Sequence, residues 1–134
     1  MIVLDIHYMN DYRVFTWDPK RFPDPQKMLQ ALTAKGFRVV TIVNPGYPIF
    51  DQATQQDLFL HYQNGAPFHG VVWPGVAALP DFLNERTRRF WGACNAAWVA
   101  QGIAGIWNDT NRPFLRNAGN SPNRGLWGIS AMPA

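Results

Sequence analysis

Two carboxylates in this sequence close short apolar runs: Asp5 follows Ile2-Val3-Leu4, and Asp109 follows Ile106-Trp107-Asn108. In α/β sheets and barrels, ligands and chemistry gather where parallel strands reach their carboxyl ends. The candidate positions are therefore Asp5 to Met9, Asn44 to Gly46, Trp73-Pro74-Gly75 and Trp107-Asn108-Asp109. Among them are two acids and two indoles, Trp73 and Trp107. That set suits a sugar, whose C–H faces stack on indole while its hydroxyls need strong acceptors. An aspartate at a strand end is also a common cap or turn residue, so spacing alone leaves both readings open.

The elements that must hold these residues are legible as alternating runs. Ile2 to Tyr8, Phe37 to Val43 and Ile103 to Trp107 are short and nearly continuous in apolar residues, as strands covered on both faces are. Gly70 to Trp73 offers a fourth short strand. Asp24 with Pro25, the stripe Met28, Leu29 and Leu32, and the stop at Gly36 predict a helix over 25–35. Asp51 offers a cap for a shorter helix carrying Leu58, Phe59 and Tyr62 and ending at Asn64-Gly65. A third helix is expected from Glu85 to about Gln101, capped by Asn84 and stopped by Gly102, with Phe90, Trp91, Cys94, Ala97 and Trp98 inward. Strands alternating with helices imply parallel strands joined by right-handed crossovers, the α/β class.

Composition narrows the field. The chain has 134 residues, 47% of them hydrophobic, 14% aromatic and 16% charged, so it is not a disordered polymer. The net charge of +3 sits in Arg112, Arg116 and Arg124, because the rest holds nine basic and nine acidic residues. Phosphate recognition needs a clustered basic face, and no nucleic-acid partner is expected. Cys94 is the only cysteine and excludes an intrachain disulfide. His7, His61 and His69 lack ligand spacing with one another or with Cys94, so no metal site is expected. Asp5 and His7 interrupt the first apolar run before it reaches signal-peptide length, and polar residues break the stretch from Ala93 to Trp107. No membrane partner and a cytoplasmic location are the expectations. Residues 117–134, rich in Asn, Gly, Ser and Pro, read as a loose basic tail.

Four motifs then occur in a fixed order: Leu4-Asp5-Ile6-His7-Tyr8-Met9; Phe15-Thr16-Trp17-Asp18 with Phe22-Pro23-Asp24-Pro25; Val71-Val72-Trp73-Pro74-Gly75 with Pro80-Asp81-Phe82; and Gly105-Ile106-Trp107-Asn108-Asp109-Thr110-Asn111. In this order they closely resemble glycoside hydrolase family 31, whose bacterial α-glucosidases carry the same segments. The resemblance covers residues 2 to 116 and implies that 1–116 is part of a (β/α)8 TIM barrel, three to four parallel strands with flanking helices. It further implies hydrolysis of α-linked glucosides with retention, without metal or organic cofactor. Carried over by position, Asp109 corresponds to the catalytic nucleophile and Asp5 to the carboxylate that grips hydroxyls of the innermost sugar. Ile6, Trp73 and Trp107 correspond to walls of the pocket.

The family's acid/base aspartate comes from a strand well downstream of the nucleophile and is absent from this chain, which ends twenty-five residues after Asp109. Thr110 and Arg112 stand where the family has Met and Glu, and Asn44 replaces the usual Asp before Pro45. The expectation is an enzyme fragment inactive alone, with an α-glucoside or maltooligosaccharide as substrate. The missing half of the barrel or a second copy would cover its strand edges. The alternative is a non-catalytic sugar-binding or assembly module that keeps Asp5, Trp73 and Trp107 for glucose contact.

Overall fold

In the computed structural model, which describes residues 1–45, 57–72 and 75–109, the apolar runs become strands and the capped segments helices. In chain order the elements are β1 (Ile2–Leu4), α1 (Pro25–Ala34), β2 (Val39–Ile42), β3 (His69–Val72), β4 (Gly75–Ala78), α2 (Glu85–Val99) and β5 (Gly105–Trp107). Two 3-10 turns follow β1, at Ile6–Tyr8 and Asn10–Tyr12.

The strands β1, β2 and β5 form a parallel sheet in that order, with Ile2 opposite Val39, Leu4 opposite Thr41, and Ile42 opposite Trp107. The expected α/β architecture is therefore present. Both helix boundaries follow their caps. The Asp24 carboxylate accepts the Lys27 N–H at 3.0 Å, and Asn84 Oδ1 accepts the Arg86 N–H at 2.9 Å. At the other end of α1, Gly36 takes φ +79°, its N–H reaching the Thr33 carbonyl and Phe37 N–H the Leu32 carbonyl. That pairing satisfies two carbonyls the helix would leave open, and it needs a residue that tolerates the left-handed region.

Helix α2 packs through Trp98, which is 1% exposed, and Thr87. Phe90, Trp91 and Cys94 are only half-buried and Ala97 is exposed, so the inward stripe is narrower than the spacing predicts. Around Trp98 the segment between β1 and α1 folds back as an aromatic cover. Tyr8 and Trp17 stack on its indole at centroid distances of 5.8 and 5.1 Å, and Phe15 meets it edge-on. The Trp17 Nε1–H donates to Gln101 Oε1 at 3.0 Å, tying that cover to the end of α2. Leu29, Val39, Ile42, Val43 and Ile103 complete the core.

Three expectations need correction. The first strand stops at Leu4 instead of continuing to Tyr8, because Asp5 caps a turn over Ile6–Tyr8. The run from Gly70 does not join the parallel sheet: β3 pairs antiparallel with β4, His69 opposite Ala78 and Val72 opposite Gly75. The helix proposed from Asp51 begins outside the described residues, and its described part, 57–65, is not helical. There Phe59 bridges Pro80 and His61 bridges Pro67, while the Leu58 carbonyl accepts the Thr87 hydroxyl at 3.1 Å and the Asp81 N–H at 2.9 Å. These non-local partners give the backbone an alternative to helical hydrogen bonds.

Candidate active site

The carboxyl ends of β1, β2 and β5 lie along one edge of the parallel sheet, where Asp5, Trp107 and Asp109 stand. Register continued one residue past β1 sets Asp5 level with Ile42, which is itself opposite Trp107. On the other flank of β2, the Val43 N–H donates to the Trp107 carbonyl at 2.9 Å, so the ladder continues beyond the strand. The Asp109 N–H then donates to Asn44 Oδ1 at 3.1 Å. Asp5 and Asp109 thus flank β2, two strand spacings apart, or roughly 10 Å.

Each side chain has a local cause. The Asp5 Oδ1 accepts the Ile6 N–H at 2.7 Å, and the turn closes with Tyr8 N–H to the Asp5 carbonyl and Met9 N–H to the Ile6 carbonyl. The Tyr8 hydroxyl donates to the Ile42 carbonyl at 2.7 Å and fastens the turn to the end of β2. Burial pushes the Tyr8 phenol above its ordinary value, more strongly than a hydrogen bond with Thr41 lowers it. On the outer side of this turn, Arg21 donates to the His7 carbonyl at 2.7 Å and lies 3.4 Å from Asp18.

Asp5 and Asp109 are both exposed, and Trp107 is 41% exposed, so a solute reaches all three. Ile6 is different: at 6% exposed it belongs to the core cluster under the turn. Trp73, Thr110 and Arg112 lie outside the described residues. Asn44, 2% exposed, is a buried polar residue whose contact with Asp109 was not legible from spacing. Its signal was an amide directly after an apolar strand, where only a bonded polar group survives burial. Among the described residues, no three His, Cys, Asp or Glu side chains gather where a metal ion could be held. No helix among them is long and apolar enough to cross a membrane.

A parallel sheet with two exposed aspartates at its carboxyl edge defines an α/β fold, and comparison with known proteins makes the family specific. The family model for the glycosyl hydrolases family 31 TIM-barrel domain matches residues 1–128, and the chain belongs to that family. Alpha-glucosidase 2 of Bacillus thermoamyloliquefaciens is 46% identical over 123 residues, covering 87% of this chain and 16% of that protein. An alpha-glucosidase of Saccharolobus solfataricus is 40% identical over 117 residues, covering 84% and 17%. Among solved structures, a family 31 alpha-glucosidase from Bacteroides thetaiotaomicron superposes with a TM-score of 0.75 at 35% identity, covering 87% of this chain and 21% of the other. The chain therefore spans about a sixth of the curated relatives it matches.

Proposed function

We propose that this chain carries the nucleophile half of a retaining α-glucosidase site, with α-linked glucosides or maltooligosaccharides as substrate. The observation that carries the reading is the shared edge: Asp5, Trp107 and Asp109 stand at the carboxyl ends of strands that flank β2, and all three are exposed. In the reaction an Asp109 oxygen attacks the anomeric carbon while the departing oxygen takes a proton from an acid. Water then displaces the carboxylate from the glycosyl-aspartate, giving its proton to the same group. Asp5 holds sugar hydroxyls, and Trp107 and Trp73 offer apolar faces. Ile6 closes the floor beneath the Asp5 turn.

No Asp or Glu follows Asp109 among these 134 residues, and the result expected of the chain alone is no turnover of p-nitrophenyl α-glucoside. Titration calorimetry with maltose tests the substrate class. The expected result is millimolar binding that disappears in Asp5→Ala; no heat at tens of millimolar sugar would remove the reading.

A further inference from the structure

A buried amide at the end of β2 does work that nothing so far accounts for. Asn44 is 2% exposed, and its Oδ1 accepts the main-chain N–H of Asp109 at 3.1 Å across a sequence separation of 65 residues. Because a backbone N–H only donates, the acceptor must be the amide oxygen, which fixes the orientation of the Asn44 side chain. The neighbouring bond is main chain to main chain, Val43 N–H to the Trp107 carbonyl at 2.9 Å. β5 ends at Trp107, so the Asp109 backbone lies two residues beyond regular sheet. There a side chain, not a main-chain carbonyl, accepts the N–H.

We infer that Asn44 is a positioning residue for Asp109: its side chain extends the β2–β5 ladder by one bond and thereby aims the Asp109 carboxylate. This rests on the reading of Asp109 as nucleophile. A carboxylate at position 44 would accept the same N–H, but would set a second negative charge beside the nucleophile and disfavour its ionised form. The neutral amide holds the backbone without that electrostatic cost. Buried among Val43, Ile42 and the strand end, the amide is also shielded from water that would otherwise compete for the bond.

Two measurements on the full chain separate this inference from the one beneath it. Amide hydrogen exchange at Asp109, read by NMR, tests the holding: Asn44→Ala is expected to speed exchange at Asp109 at least tenfold, and Asn44→Asp to restore most of the protection. Unchanged exchange in Asn44→Ala, in a variant whose remaining amides keep wild-type protection, overturns the inference whatever the chain does to sugars. Covalent trapping with 5-fluoro-α-glucosyl fluoride tests the aiming. The fluoride leaves without acid help as the Asp109 oxygen bonds to the anomeric carbon, and the adduct is counted by intact mass. Asn44→Ala is expected to lower the maximal labelling rate at least tenfold with little change in the half-saturating concentration. Asn44→Asp is expected to label at near wild-type maximal rate, with the acid limb of its pH profile moved to higher pH. Wild-type labelling kinetics in Asn44→Ala overturn the inference. If the wild-type chain itself is not labelled, the nucleophile reading fails, and the exchange arm alone decides whether Asn44 holds Asp109.

Discussion

Thr41→Val probes the joint that fastens the site-bearing strand to the rest of the fold. Thr41 is 0% exposed in the middle of β2, and its Oγ1 accepts the Trp98 indole N–H at 2.9 Å while its side chain also bonds Tyr8. Valine has nearly the same shape and an equal liking for strands, so the substitution removes the hydrogen bonds with little change in packing. The indole N–H of Trp98, itself 1% exposed, would be left buried without an acceptor. An orphaned buried donor costs about 1–3 kcal/mol, against a total domain stability of roughly 5–15 kcal/mol. Two kcal/mol is about a thirtyfold change in the folding constant. With a urea m-value of about 1–3 kcal/mol per molar, the midpoint should fall by about 1 M. Urea unfolding followed by tryptophan fluorescence is the assay, with Thr41→Ser, which keeps the hydroxyl, as the comparison. A Thr41→Val midpoint equal to wild type at unchanged m-value would refute the reasoning, as would a larger loss in Thr41→Ser.

Other perturbations follow from the same contacts. Because burial raises the Tyr8 phenol, the folded state keeps its proton to higher pH than the unfolded chain, whose tyrosines ionise near pH 10. Stability should therefore fall as pH rises above about 10, and Tyr8→Phe should flatten that decline while costing about 1 kcal/mol at neutral pH; parallel pH–stability curves for the two proteins would contradict this. Leu29 is 1% exposed and packs 3.7 Å from the position a Gly102 Cβ would take, so Leu29→Ala should lose about 2–5 kcal/mol in denaturant titration, and a loss below 1 kcal/mol would show a site able to collapse.

Much of this fold is written in local sequence. Asp24-Pro25 and Gly36 bound α1 because a carboxylate, a missing N–H and a left-handed glycine each answer a need that helix ends always have. The two aspartates on one edge were also readable, since apolar runs alternating with helices favour parallel strands whose carboxyl ends share an edge. Pairing partners were not readable. Val71-Val72 is as apolar as a parallel strand, yet β3 pairs with β4 three residues on, and nothing in a short apolar run states its direction. Leu58, Phe59 and Tyr62 are spaced for a helix, but the segment instead gives its backbone to Thr87, Asp81 and Leu79, contacts made only once α2 and the hairpin exist. The supporting residues of the site, Tyr8, Thr41 and Asn44, were hidden for the same reason: each bonds to a partner at least thirty-four positions away. Their trace in the sequence is a polar atom inside an apolar run.

The most direct test of the nucleophile assignment supplies the missing chemistry from solution. α-Glucosyl fluoride needs no acid to release fluoride, and azide needs no base to attack the glycosyl-aspartate that forms. Incubation of the chain with both should yield glucosyl azide of retained, α configuration, identified by NMR, and Asp109→Asn should abolish it. Formation of the β-azide, or α-azide undiminished in Asp109→Asn, would contradict a covalent role for Asp109.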